Sequence, residues 1–110
     1  MEWTEKEKGE WTVLKIIGVI NVDSAQELKA LFEDLLARGV QNIRLNLKNV
    51  PIFNSSGIGH ILMLFKRLKE RNGTLEIRGV SRNLMEMLKL LNIEKLISIQ
   101  EEEFPNTFVL

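Results

Sequence analysis

Two short stretches of this chain alternate apolar and polar residues, and a helix-length segment lies between them. In Asn42 to Val50, Ile43, Leu45 and Leu47 share one face while Arg44, Asn46 and Lys48 share the other. In Thr74 to Val80, Leu75 and Ile77 oppose Glu76 and Arg78. Strand side chains point alternately to the two sides of a sheet, so each pattern predicts a strand with one buried face. Between them, Ser55 to Asn72 carries Ile58, Ile61, Leu62, Phe65 and Leu68 at helical spacing, and Gly73 ends it. Strand, helix and strand in that order make a βαβ unit with parallel strands and a right-handed crossover. Parallel strands covered on both faces read as unbroken apolar runs. These two keep a polar face, so the pattern places the helices mainly on one side of the sheet and leaves the other partly open to water.

The flanking segments extend the same plan. Glu2 to Lys6 and Trp11 to Ile20 read as strands joined through Lys8-Gly9-Glu10, the second being rich in β-branched and aromatic side chains. Ser24-Ala25-Gln26-Glu27 fits a capping box, with Asp23 as the alternative cap. Ala25, Leu28, Leu31, Phe32, Leu35 and Leu36 then form the apolar stripe of a helix stopped by Gly39. A third helix starts at Ser81 and is expected to bury Leu84, Met87, Leu88 and Leu91, with Met85 and Leu90 at the edge of the core. A short strand from Leu96 to Ile99 closes the pattern. The expected order is β-β-α-β-α-β-α-β, an α/β fold with a mixed, mostly parallel sheet. No linker or repeat interrupts it, and Glu101-Glu102-Glu103 followed by Phe104-Pro105 reads as an end segment. Residues 1–110 are therefore expected to form a single domain.

Composition narrows the chemistry. Fifteen basic and fifteen acidic side chains cancel, which argues against direct binding of nucleic acid, a role that normally brings a basic excess. The absence of cysteine removes disulfides, thiolate catalysis and cysteine-held metals. One histidine, His60, leaves no histidine-built metal site, so neither metal nor cofactor is expected. No apolar run approaches the ~20 residues that span a bilayer, and the opening Met-Glu-Trp-Thr-Glu-Lys is too polar for a secretory signal. A soluble, cytoplasmic protein with no membrane partner is expected.

One loop carries a functional signal: Pro51-Ile52-Phe53-Asn54-Ser55-Ser56-Gly57-Ile58-Gly59-His60. Two serines stand at the mouth of a helix and two glycines follow in its first turn, each costing roughly 1 kcal/mol of helix propensity relative to alanine. The glycines call for another reason, such as room for a backbone or a large group beside the serines. The helix N-terminus also favours an anion here. One of Ser55 and Ser56 is expected to cap the helix, which leaves the other hydroxyl free. The loop lacks the Gly-Lys of a P-loop and the Gly-x-Ser-x-Gly of a nucleophile elbow. His60 is the one imidazole that could serve as a base, yet no acidic residue in the motif is placed to orient it. No catalytic residues are expected.

The stretch Leu45-Asn46-Leu47-Lys48-Asn49-Val50-Pro51-Ile52-Phe53-Asn54-Ser55-Ser56-Gly57-Ile58-Gly59 resembles the signature of bacterial anti-sigma factor antagonists, the STAS-domain family. That signature reads roughly Leu-Asp-Leu-Ser-x-Val-x-Phe-hydrophobic-Asp-Ser-Ser-Gly-Leu-Gly. The resemblance extends to the strand order, the Gly18-to-Ala25 entry into the first helix and the Arg78-to-Leu91 segment, and so covers nearly the whole chain. It implies a binding module rather than an enzyme. The matching acceptor is Ser56, with Ser55 the less favoured position, phosphorylated by an anti-sigma factor that is also a serine kinase. The unphosphorylated form would bind that partner and release the sigma factor; the phosphorylated form would let go, and a serine phosphatase would reset it. Asn21, Asn54, Ser55, Gly57 and Gly59 would surround the acceptor. Asn54 and Asn21 stand where the family often has aspartate, so shape is kept while negative charge is lost.

A phosphate adds about −1.5 to −2 charges at neutral pH. Burying it against a partner without a cation costs several kcal/mol, and a loss of ~3 kcal/mol weakens binding roughly a hundredfold. Local repulsion and bulk therefore suffice as a switch. Ser56, His60, Met63 and Arg67 fall on one helical stripe, so His60, Met63 and Arg67 are the expected partner contacts. The basic run Lys66-Arg67-Leu68-Lys69-Glu70-Arg71 reads as a solvated face. The alternative for the same residues is a STAS-like nucleotide- or anion-binding module, or a scaffold subunit, without phosphorylation. In either case a monomer or weak dimer is expected.

Overall fold

The computed structural model describes residues 1–101. Its five strands lie side by side in chain order: β1 (Glu2–Lys8), β2 (Trp11–Ile17), β3 (Asn42–Asn49), β4 (Thr74–Val80) and β5 (Ser98–Glu101). β1 is antiparallel to β2, and every later neighbour is parallel. The crossovers are α1 (Val22–Ala37), α2 (Ser55–Glu70) and α3 (Arg82–Leu90), the last followed by a 3-10 turn at Ile93–Lys95. Parallel strands that advance in one direction, joined by right-handed crossovers, put all three helices on the same face. The expected α/β fold, with a mixed, mostly parallel sheet and helices on one side, is the fold observed.

Register explains the two faces. Leu14 pairs with Leu45, Leu45 with Ile77, and Ile77 with Ile99, so one apolar row crosses four strands. Leu28, Phe32 and Leu35 of α1, Ile61, Leu64 and Leu68 of α2, and Leu84 and Leu88 of α3 are buried with that row in one core. On the open face Arg44 stands opposite Glu76. Its Nε lies 3.3 Å from Glu76 Oε1, and its guanidinium sits 4.6 Å from the centre of the Trp11 ring. Arg78 pairs with the same Glu76 carboxylate. Cross-strand charge pairs thus finish a surface that none of the three described helices covers.

Several boundaries differ from the sequence reading. β1 runs on to Lys8 and turns through Gly9, whose φ of +60° suits glycine. β2 stops at Ile17 because Gly18 turns away at φ +110°. α1 begins at Val22, capped by Asn21 rather than by Ser24 or Asp23. Leu64 lies at the centre of the α2 interface, while Leu62 and Phe65 are half-buried at its edges. α3 buries Leu84, Met85 and Leu88 but leaves Met87 and Leu91 exposed, and Leu90 lies fully outside. The final strand begins at Ser98, two residues later than expected, because the 3-10 turn occupies the chain before it. Arg71 does not belong to a solvated face: its Nη1 and Nη2 donate to the carbonyls of Leu36 and Val40, each at 2.9 Å, and tie the ends of α1 and α2 together. Apart from Glu101, the expected acidic end segment lies outside the described residues.

Candidate functional site

The β2–α1 and β3–α2 loops meet at the end of the sheet where α1 and α2 begin. The Ile20 N–H donates to the Ile52 carbonyl at 2.8 Å, and the Asn54 N–H donates to the Ile20 carbonyl at 3.0 Å. This makes a lone parallel bridge between Ile20 and Phe53 beyond the strand ends. Both side chains are buried, so each loop is anchored in the core at one residue and exposed around it. Val19 and Ile52 in these loops, and Val22 at the start of α1, are exposed large apolar residues.

Asparagine caps both helices. Asn21 Oδ1 accepts from the Ser24 N–H at 3.0 Å, while Ser24 Oγ accepts from the Asn21 N–H at 2.8 Å. Asn54 Oδ1 accepts from the Gly57 N–H at 2.8 Å. The expectation that Ser55 or Ser56 caps α2 is therefore wrong. Asparagine ranks with serine as a cap, and Asn54 precedes the pair with its backbone still extended, at φ −78° and ψ 169°. Ser55 and Ser56 become the first two residues of the helix proper, and both are exposed. Among the described residues neither hydroxyl has a hydrogen-bond partner. Aspartate and asparagine cap about equally well, so neutral side chains at 21 and 54 keep both helix starts.

The two glycines have separate explanations. A Cβ on Gly57 would lie 2.8 Å from Ile20 Cγ2 and 2.9 Å from Phe53 Cδ1, and closer still to Phe53 Cε1. Gly57 is thus required for α2 to seat on the anchor of the two loops. A Cβ on Gly59 would meet nothing within 4 Å.

The expected contact stripe is only partly on the surface. Ser56 and Arg67 are exposed, but His60 is half-buried and its Nε2 is enclosed without a hydrogen-bond partner. Met63, expected as a partner contact, is half-buried against the core. α2 packs on α1 as well as on β4, so its buried arc is wider than a single stripe. What sequence reasoning missed here is the role of the asparagines, although Asn54 directly before a serine pair was a usable cap signal. Among the described residues, no three acidic or histidine side chains cluster as a metal site, and no helix is long and apolar enough to cross a membrane.

The order of strands, the three helices on one face and the serine pair on an asparagine-capped helix define a class of protein. The STAS-domain family model matches residues 2–105, and the chain belongs to that family. An anti-sigma-B factor antagonist of Bacillus subtilis (strain 168) is 29% identical over 86 residues, which is 78% of this chain and 78% of that protein. Among solved structures, the anti-sigma factor antagonist SpoIIAA in its unphosphorylated form matches with a TM-score of 0.72 at 14% identity, over 98% of this chain and 94% of that one. The Bacillus cell fate determinant SpoIIAA in its phosphorylated form matches with a TM-score of 0.72 at 16% identity, over 92% and 93%. At these identities the two structures are alike in fold.

Proposed function

We propose that this chain is an anti-sigma factor antagonist whose docking is switched by phosphorylation of Ser56. Acting as one domain, residues 1–110 bind an anti-sigma factor in the unphosphorylated state and thereby free the sigma factor. The same partner, an ATP-using serine kinase, phosphorylates the bound antagonist. The Ser56 oxygen attacks the γ-phosphorus, an O–P bond forms, the β–γ bridge breaks, ADP leaves, and the hydroxyl proton passes to the kinase or to water. A serine phosphatase removes the phosphate. The chain is a substrate and binding module with no catalytic step of its own.

The observation that carries this reading is the Asn54 cap. Because Asn54 Oδ1 holds the Gly57 N–H, the hydroxyl of Ser56 is not consumed by its own helix. The similarity to an anti-sigma-B factor antagonist supports the partner class, and SpoIIAA, alike in fold, has been solved in a phosphorylated form. A phosphate at Ser56 would sit at the positive end of α2, a gain of about 0.3–1 kcal/mol at an exposed terminus. The cost of burying a dianion against a partner without a matching cation is several kcal/mol, so release wins.

Co-purification from the native cell tests this reading, with mass spectrometry reporting the partner and the state of Ser56. An ATP-binding protein recovered with unphosphorylated chain, and absent from phosphorylated chain, is the expected result. Equal recovery with both forms would contradict the switch.

A further inference from the structure

The face of the sheet opposite the three helices carries a charge pattern that folding does not require. Register and alternation put Lys6, Lys8, Lys15, Arg44, Lys48 and Arg78 on this side, together with Glu2 and Glu76. Among the described strand residues, six cations on this face thus stand against two carboxylates, in a chain whose fifteen basic and fifteen acidic side chains cancel. The balancing acids lie elsewhere: α1 has Asp23, Glu27, Glu33 and Asp34 against Lys29. The protein is polarised across its sheet.

Little of this charge is answered within the face. The Glu76 carboxylate serves both Arg44 and Arg78. Lys6, Lys8 and Lys15 have no ion-pair partner among the described residues. Lysine on an edge strand commonly discourages strand pairing, which accounts for Lys6 and Lys8 on β1. It does not account for Lys15 on β2 or Arg44 on β3, which are inner strands. Across the strands cations alternate with neutral residues, as Lys6–Val13–Arg44 in one row and Lys15–Asn46–Arg78 in the next. Charges in a row stand two strand spacings apart, about 10 Å. At that separation salt screens their mutual repulsion, while one sign of charge extends from β1 to β4.

We infer that this face is a second docking surface whose occupant is an acidic protein segment, one that presents aspartate and glutamate side chains to the rows of cations. A single-stranded nucleic acid fits less well, because its bases stack on open aromatic rings. Trp11 is the aromatic residue of this face, and its ring is taken by the Arg44 guanidinium, 4.6 Å from the ring centre. The surface lies across the sheet from α2 and Ser56, so the inference goes beyond the proposed switch and stands whether or not Ser56 is phosphorylated.

The test uses the full chain and a labelled peptide of alternating glutamate and serine, titrated by fluorescence anisotropy at low ionic strength. One variant combines Lys6→Gln, Lys8→Gln and Lys15→Gln. The control combines Lys29→Gln, Lys66→Gln and Lys89→Gln, three exposed helix lysines whose loss changes the net charge equally. The peptide is expected to bind wild type and the control alike and to weaken with added salt. The open-face variant should bind roughly tenfold more weakly, the sum of three lost surface ion pairs. No saturable binding to wild type, or equal weakening in both variants, would overturn the inference. A single-stranded DNA of equal charge that binds wild type more tightly than the peptide would overturn the assignment to an acidic protein.

Discussion

Gly57→Ala is expected to destabilise the protein although alanine is the better helix former. Helix propensity alone would favour the variant by up to ~1 kcal/mol. The new Cβ, however, would stand 2.8 Å from Ile20 Cγ2 and 2.9 Å from Phe53 Cδ1. The optimum separation of two carbons is about 3.5–4.0 Å. Neither neighbour has space to retreat: Ile20 is 0% and Phe53 5% exposed, and their backbones are joined across the loops. Overpacking a closed core costs about 1–3 kcal/mol, so a net loss of about 1 kcal/mol follows. With an unfolding entropy of about 2.1 cal/mol/K per residue, a chain of this length loses about 4 °C of melting temperature per kcal/mol. Gly59→Ala meets nothing and should gain up to about the same amount. Thermal unfolding followed by circular dichroism should therefore separate two variants of identical composition by several degrees, in opposite directions from wild type. Shrinking the obstacle should help, so Phe53→Leu should cost less in the Gly57→Ala background than alone. A Gly57→Ala protein as stable as Gly59→Ala would refute the close seating of α2 on Phe53 and Ile20.

Other outcomes follow from the same geometry. Asn54→Ala removes the bond to the Gly57 N–H and should cost about 1 kcal/mol in urea unfolding, whereas Asn54→Asp should leave stability nearly unchanged. Arg71→Met keeps much of the side chain's bulk but loses two charged hydrogen bonds to Leu36 and Val40, which should cost about 1.5–3 kcal/mol. The Arg38 guanidinium donates to Glu5 and holds that carboxyl below its ordinary value. Its folded pKa is the lower one, so the pair's contribution is complete above the unfolded pKa and disappears as pH falls through the folded value. Glu5→Gln should accordingly flatten the acid limb of the stability–pH curve, by an amount limited by the exposure of the pair; a curve that is unchanged would contradict the pairing.

Much of the fold was legible because a single requirement, one buried face per element, governs it. Ile43, Leu45 and Leu47 alternate, and Leu75 and Ile77 do so again, and these residues are buried as the alternation demands. The polar faces of the same strands placed the helices on one side. What periodicity does not encode is which flank of a helix has a neighbour. On α3, Met85 and Met87 lie about 80° to either side of the Leu84–Leu88 axis, so spacing favours neither, and tertiary packing buries Met85. Leu91 would continue the stripe, but the helix ends there and Asn92 turns the chain at φ 58°. Met63 is half-buried for a related reason, since a helix packed on a sheet and on α1 hides more than one stripe.

At the serine pair the sequence identified the place but not the division of labour. Ser, Asn and Asp can all accept from a helix's free N–H groups, and the choice among them depends on where the chain turns into the helix. The bridge between Ile20 and Phe53 fixes that point at Asn54, and likewise puts Asn21 at the entry to α1. Adjacent polar residues in the chain cannot reveal such a contact between loops. The two glycines present the same case: they look alike in the sequence, and only the ring of Phe53 beside one of them separates a packing requirement from an open surface.

Incubating wild type, Ser55→Ala and Ser56→Ala with the co-purified kinase and ATP, and weighing each intact protein, addresses the switch itself. One phosphate on wild type and on Ser55→Ala, with none on a folded Ser56→Ala, is the outcome that this reading of the α2 terminus requires. A phosphate retained by Ser56→Ala, or none on wild type from a kinase competent on another substrate, would contradict it.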